Sequence, residues 1–167
     1  GLPEPWMKRT VEGDLGMRYS LTHVYEQIPG SDNPENEYMQ QVKAWVELCT
    51  ARPDTLAAPG SEEEKLEEFL GRSAVSMAVE RHCGRIADVY TPLGLMHTQE
   101  GKDLMNVPSV IGIGGVLRNS RRPEEILKGS LYDFMHPECT KPRKPKFYLD
   151  QKYIFASMGL LRSINPE

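Results

Sequence analysis

Several features that define common classes of protein are scarce in this sequence of 167 residues. It has three cysteines, too few and too scattered for a disulfide framework, and no apolar run approaches the ~20 residues that a membrane-spanning helix needs. The formal net charge is −4, so no general positive field would attract nucleic acid. With no signal-peptide pattern at its start, the sequence predicts a cytoplasmic protein with reduced thiols that binds neither membranes nor nucleic acids.

The common catalytic and metal-binding motifs are also missing. There is no Walker A loop, the glycine spacing does not fit a Rossmann fingerprint, and no serine stands in a nucleophile elbow. His82 with Cys83, and His136 with Cys139, are two separate pairs without a CxxC motif, so we expect no metal site. We therefore assign no catalytic residue.

What is present is the pattern of a helix-rich α/β protein with few strands. Hydrophobic residues make up 39% and charged residues 26%, as in ordinary globular domains. Apolar residues at helical spacing predict helices in five places, and strand-forming residues predict two strands. The predicted helices cover roughly residues 14–28, 34–49, 61–83, 121–131 and 151–164, and the predicted strands cover 85–91 and 107–113.

Capping residues set the expected ends of these helices. Asp32 or Asn33 can cap the second helix, and Ser61 with Glu64 forms a capping box for the third, which Gly84 ends. Asp150 can cap the last helix.

Charge and periodicity also predict which side chains face water. We expect the glutamates of the third helix to form a solvated face. The basic run at 141–146 is expected to be a solvated loop, with contact to an acidic partner as the alternative. In the last helix, a stripe of apolar and small residues is expected to be buried: Ile154, Ser157, Met158 and Leu161.

The stretch SVIGIGGVLRN, residues 109–119, is the most suggestive local pattern. A predicted strand leads into Gly112, Gly114 and Gly115, and a short helix follows. Backbone without Cβ atoms can lie against a planar base or a phosphate. The alternative is that these glycines serve only the packing of a strand–turn–helix junction.

A second cluster lies at the start of the first predicted helix, where Glu12, Gly13 and Asp14 stand between Arg9 and Arg18. Its carboxylates could position a nucleotide with its cation. The alternative is that Asp14 caps the helix.

Five separated segments together resemble one known family. They are KRTVEGDLGMR, RSAVSMAVERHCG, GKDLMNVPSVIGIGGVLRN, PEEILKG and LDQKYIFASMGLLRSINPE, in this order. They resemble the glutamate mutase accessory family called MutL, which is unrelated to the DNA mismatch-repair protein of that name. This family is taken to belong to the actin, Hsp70 and sugar-kinase superfamily of ATPases.

The resemblance implies roles for particular residues. VIGIGG is similar to the adenosine motif of the superfamily, so Gly112, Gly114 and Gly115 are expected to face adenosine, although Ile113 stands where members often have a small hydroxylated residue. Glu12, Gly13 and Asp14 are implied as secondary nucleotide contacts. The helix after Asp150 is expected to pack beside the adenosine loop, and adenine contacts are expected from residues 68–81.

The resemblance also implies what lies elsewhere. The two phosphate-binding loops of such ATPases would lie upstream, so we expect the chain to be the C-terminal lobe of a longer, ribonuclease-H-like ATPase. Residues 30–84 would be a mostly helical subdomain, and 85–167 would hold strands, adenosine loop and C-terminal helices. ATP with Mg²⁺ is expected in the full-length protein. The lobe alone is expected to be inactive and to hold no bound cofactor.

Three functions stay open on the sequence. The first is an ATPase chaperone or reactivating factor for an adenosylcobalamin-dependent mutase, with a mutase subunit as partner. The second is a module that docks on the mutase without dependence on nucleotide. The third is the lobe of a metabolite kinase of the same superfamily.

Overall fold

The computed structural model describes residues 11–155 and 157–159, and their order of elements is mixed α/β. The helices are α1 Leu21–Glu26, α2 Glu37–Ala51, α3 Glu62–His82, α4 Gly115–Asn119 and α5 Pro123–Leu127, and two 3-10 turns cover Gly13–Leu15 and Lys128–Ser130. The strands are β1 Arg85–Thr91, β2 Gly94–Glu100, β3 Ser109–Gly112 and β4 Lys146–Leu149. The helix-rich α/β class is confirmed.

The long helix α3 separates two apolar cores. Ser61 caps it as expected, because its Oγ accepts a hydrogen bond from the Glu64 backbone N–H at 3.3 Å. Leu70, fully buried, lies in the larger core with α1 and α2, whereas Val75 packs on the smaller core. Because each core uses residues of this helix, α3 links the two cores.

The larger core is built by α1 and α2 against α3. Val24 and Val42 are both completely buried in it. The expected helix over 14–28 is wrong in its first part, since only the Gly13–Leu15 turn and α1 are helical. Gly16 interrupts the pattern with an extended backbone (φ −69°, ψ 130°).

The cap of α2 also differs from the expectation. Asn36 caps the helix by accepting a hydrogen bond from the Met39 N–H at 3.2 Å, so Asp32 and Asn33 do not fill this role. Asn33 instead holds a local turn by accepting a hydrogen bond from the Glu35 N–H at 3.0 Å. Several nearby residues can cap, and the helix begins where its apolar face first meets the core.

The smaller core lies beneath a parallel pair of strands. In this pair β3 lies beside β4, with Ser109 opposite Lys146 and Gly112 opposite Leu149. The connection between them contains α4 and α5, whose Leu117 and Ile126 are buried under the strands. Pro123 opens α5, as expected. The predicted strand at 107–113 is confirmed, and β4 was missed.

A hairpin of β1 and β2 leaves the end of α3. Its strands are antiparallel, with Arg85 opposite Glu100 and Thr91 opposite Gly94. The predicted strand 85–91 is confirmed, whereas β2 was expected to be turn sequence. Every residue of β2 is exposed, so burial does not produce the alternating pattern that identifies a strand.

The glutamates of α3 are not a uniformly solvated face, which corrects the expectation. Three of them have largely buried side chains and are paired with arginines from other segments: Glu64 with Arg121 at 2.7 Å, Glu68 with Arg122 at 2.5 Å, and Glu67 with Arg18. Glu62 and Glu63 are exposed. The paired glutamates join α3 to segments on both sides.

The basic run at 141–146 is less exposed than expected. Lys141 is 2% exposed, and its Nζ donates a hydrogen bond to Ser76 Oγ at 2.9 Å, so the basic run is only partly a solvated loop.

Asp150 accepts hydrogen bonds from the N–H groups of Ile154 and Phe155, as a capping residue does. The expected buried stripe is wrong where it is described, because Ile154, Ser157 and Met158 are exposed, and Leu161 lies outside the described residues.

The ion pair of the largely buried Glu64 with the exposed Arg121 predicts a pH dependence of folding. The Arg121 guanidinium, followed by the Gly60 N–H, lowers the pKa of the Glu64 carboxyl from 4.5 to about 2. Because this pKa is depressed in the folded state, the carboxylate stabilises the fold above pH 4.5, and the contribution is lost as the pH falls from 4.5 to 2. In Glu64→Gln, the free energy of unfolding should fall less steeply than in the wild type as the pH is lowered between these values.

The matched change is Arg121→Gln. It leaves a largely buried carboxylate without its cation, so at neutral pH it should destabilise the protein more than Glu64→Gln does. An unchanged pH dependence in Glu64→Gln would contradict the assigned pair.

Candidate functional site

The glycine segment lies at the carboxyl end of β3. Gly112 ends the strand, Gly114 has a φ of +130°, and Gly115 begins α4. A side chain at Gly114 would be strained, because this φ lies in the range that L-residues rarely adopt. In α/β proteins, ligands commonly bind outside the carboxyl ends of parallel strands.

The three glycines of this segment differ in their surroundings. A Cβ at Gly112 would lie 2.7 Å from Leu117 Cδ1 and 2.9 Å from Leu127 Cδ2, so this glycine is required by packing. A Cβ at Gly114 or Gly115 would meet no atom within 4 Å. The open backbone is therefore confined to Gly114 and Gly115, whereas Gly112 fits the packing alternative.

The predicted carboxylates are engaged by an arginine of α3. Arg81 Nη1 lies 2.6 Å from Glu12 Oε2 and 2.8 Å from Asp14 Oδ1, and its Nη2 lies 2.8 Å from Asp14 Oδ2. This pairing holds the pKa of Asp14 at about 2. Asp14 is not a helix cap, since the turn at Gly13–Leu15 has no side-chain cap. Arg9 lies outside the described residues.

One cleft brings the two predicted clusters together. It has a volume of about 470 Å³, and both Gly13 and Gly115 line it, although they lie about a hundred residues apart in sequence. Glu12, Asp14, Gly112 and Gly114 do not line it. The volume falls within the range typical of small-molecule sites, ~300–1,000 Å³.

The lining of the cleft includes a partly buried ion pair. Arg18 and Glu67 both line it, with side chains 18% and 15% exposed. Arg18 also donates to the Thr55 carbonyl oxygen at 3.1 Å, which fixes the linker between α2 and α3 against the cleft. Of the α3 residues, Glu67 lines the cleft, one residue before the stretch 68–81 where adenine contacts are expected.

One aromatic residue of this cleft was not predicted from the sequence. Tyr19 lines it and is 92% exposed. The pattern of a continuous helix concealed it, because Tyr19 then occupies an ordinary exposed helix position. The break at Gly16 puts it in a turn beside Gly13.

The chemistry of the cleft is that of binding. Bare backbone on one wall and an exposed aromatic ring on another can enclose a planar ligand, and Asn119 and Arg18 supply polar groups. Burial raises the pKa of Cys139 to about 11, and all three cysteines are free and buried, so they are poor nucleophiles.

The described residues hold neither a metal-binding cluster nor a membrane-spanning helix. Within 11–155 and 157–159, no group of three or more His, Cys, Asp or Glu side chains is arranged to hold a metal ion. No helix in the same ranges is both long and apolar enough to cross a bilayer.

The chain belongs to the MutL family, whose model, described as MutL protein, matches residues 1–167. It is also similar to Protein MutL of Clostridium tetanomorphum, with 44% identity over 170 residues. This match covers 100% of the chain but 36% of that protein, so the chain spans about a third of its relative's length. No solved structure matches.

The difference between the glycines can be tested by stability. Gly112→Ala should lower the melting temperature by on the order of 5 °C, because the methyl group meets Leu117 and Leu127 in a packed core. Gly115→Ala, which adds the same group into open space at the start of a helix, should leave it unchanged or raise it. Thermal unfolding followed by circular dichroism measures both. Equal effects would contradict the assignment of open backbone to Gly115.

Proposed function

We propose that the full-length protein is a nucleotide-binding accessory protein of an adenosylcobalamin-dependent mutase, such as glutamate mutase. This chain supplies one wall of its nucleotide site. The observation that carries the proposal is the cleft in which Gly13 and Gly115 come together. Membership of the MutL family supports the accessory role.

The adenosine part of ATP fits the chemistry of this wall. A purine is planar and apolar on its faces, so it can lie against backbone that carries no Cβ and against an aromatic ring. Gly115 supplies such backbone on the cleft, with the open backbone of Gly114 directly before it, and Tyr19 supplies an exposed ring. In this proposal Gly112 supports the loop from beneath.

The phosphates and Mg²⁺ are assigned to groups outside this chain. Arg81 already pairs with Glu12 and Asp14, so their carboxylates would hold the turn around Gly13 in place and would not bind the cation directly. A site divided in this way closes when the nucleotide joins its two walls, and such closure can drive work on a bound partner. We propose that this work is the reactivation of the mutase, which makes the full-length protein an actin-like ATPase and chaperone.

The first experiment is a titration of ATP and ADP into the full-length protein and its variants. An added Cβ at Gly115 meets no atom within 4 Å, so Gly115→Val places a branched side chain in the space proposed for the base. We expect the nucleotide affinity to fall by about tenfold or more, equivalent to ~1.4 kcal/mol of binding free energy or greater. Unchanged affinity would refute the assigned wall.

Gly114→Val and Gly30→Val form a matched pair for this experiment. Both glycines have positive φ and open space around an added Cβ, so both substitutions strain the backbone. Gly114 directly precedes Gly115, which lines the cleft, whereas neither Gly30 nor its sequence neighbours line it. A loss of affinity in Gly114→Val, with Gly30→Val as the wild type, separates loss of binding from general strain.

The dependence of mutase binding on the nucleotide is tested separately. Pull-down of purified glutamate mutase with the full-length protein should change when ATP replaces ADP, and this difference should disappear in Gly115→Val. Equal mutase binding with and without nucleotide would favour the docking module instead.

A further inference from the structure

A second cavity lies against the helix that also borders the cleft. It has a volume of about 520 Å³ and shares no lining residue with the cleft. Arg72, Ser73 and Ser76 of α3 form one side, and Tyr132 and Phe134 lie on the other. No role proposed above uses these residues.

The walls of this cavity are held by direct contact of two backbones. A Cβ at Gly129 would lie 2.2 Å from the Arg72 carbonyl oxygen, so the turn at Lys128–Ser130 can approach α3 only with glycine at this position. Ser130 is fully buried beside it, and its Oγ donates to the Leu127 carbonyl oxygen at 2.7 Å. The two sides of the cavity are therefore rigidly spaced.

A buried lysine prepares one hydroxyl of the cavity to donate a hydrogen bond. Lys141 is 2% exposed, and its Nζ donates to Ser76 Oγ at 2.9 Å. A lysine ammonium can only donate, so Ser76 acts here as the acceptor and keeps its own proton for another group. Among the residues that the structure describes, none accepts that proton. Ser73, by contrast, donates to the Phe69 carbonyl oxygen at 2.9 Å.

Two cations, Arg72 and Lys128, and one acid, Asp133, line the cavity. Arg72 is exposed and donates no hydrogen bond to another described residue, while the nearby Glu125 is held by Lys128 at 2.6 Å. Arg143 lies over the Tyr132 ring at 5.2 Å, and Lys144 beside it is exposed. The acid in the lining, Asp133, accepts a hydrogen bond from the Met135 N–H at 2.9 Å.

The rim is apolar and exposed. The Phe134 and Tyr132 rings contact edge to face, with centroids 5.3 Å apart, and Phe134 is 86% exposed. Met135 next to it is 81% exposed. Aromatic residues, methionine and arginine together are typical of the centres of protein interfaces.

We propose that this cavity is the docking site of an acidic segment from a partner protein. One carboxylate of the segment reaches Arg72 and the Ser76 hydroxyl, and an adjacent apolar side chain packs on Phe134. Complementarity of charge favours this occupant, because Arg72, Arg143 and Lys144 extend the positive field beyond the cavity. This proposal does not depend on the nucleotide site.

The test uses the full-length protein and a fluorescein-labelled hexapeptide of four glutamates and two leucines. Fluorescence anisotropy should show binding that weakens with added salt, and a peptide with glutamines in place of the glutamates should bind about tenfold less tightly or not at all. Arg72→Glu and Phe134→Ala should each weaken binding by a similar factor. Equal binding of both peptides, or no binding of the acidic one at low salt, overturns the proposal.

Matched variants separate this site from general effects. Arg52→Glu makes the same change of charge at another exposed arginine, and Tyr90→Ala removes an aromatic ring that is 85% exposed elsewhere. Both should bind the acidic peptide as the wild type does. Glutarate should displace the peptide only at far higher concentration, because it cannot reach Phe134. Displacement at equal concentration would make the cavity a small-acid site and overturn the docking proposal.

Discussion

The pairing of glutamates on α3 with distant arginines is the constraint on which the arrangement depends. Glu64 and Glu68 bind Arg121 and Arg122, which lie between α4 and α5, and Glu67 binds Arg18 on the other side. Because these carboxylates are largely buried, each would be costly without its cation. The pairs therefore fix the position of the glycine loop and of the turn after Gly13 relative to one helix. The cleft exists because both segments are tied to α3.

Local signals in the sequence correctly predicted the helix starts that have a single candidate for the first residues of the helix. Ser61 capped α3 as expected, and Pro123 opened α5, because each sits where only one helix start is available. Asn36 was missed as the cap of α2 because several capping residues precede that helix. The strands β1 and β2 both lack a buried residue, so neither was identified by an alternation of buried and exposed positions. β1 was predicted because it is rich in β-branched and aromatic residues, and β2 was missed because Thr98 is its only residue of these types.

Runs of charged residues were the least reliable guide to which side chains are exposed to solvent. A run of glutamates, and a run of lysines and arginines separated by prolines, are both expected to be solvated when each is considered alone. Glu64 and Lys141 are buried because their ion-pair partners, Arg121 and Glu80, lie about 57 and 61 residues away in sequence. Nothing local to either run indicates these partners. The glycine segment was more informative, since the absence of Cβ atoms from its backbone follows from residue type alone. That this backbone is open at Gly114 and Gly115 but closely packed at Gly112 required the structure.

The cleft and the basic cavity border the same stretch of α3. Glu67 lines the first, and Arg72 and Ser76 line the second, within roughly 14 Å of helix. At Gly129 the backbone of the neighbouring turn packs closely against the Arg72 carbonyl group. This stretch of α3 therefore cannot shift without moving the wall of the cavity. A ligand that altered the pairing of Arg18 with Glu67 would act on the one element that both places share. Coupling between the two requires that α3 has two positions, because a rigid helix with a single position would transmit nothing. The paired glutamates, which anchor α3 on both sides, are the contacts that such a second position would have to exchange.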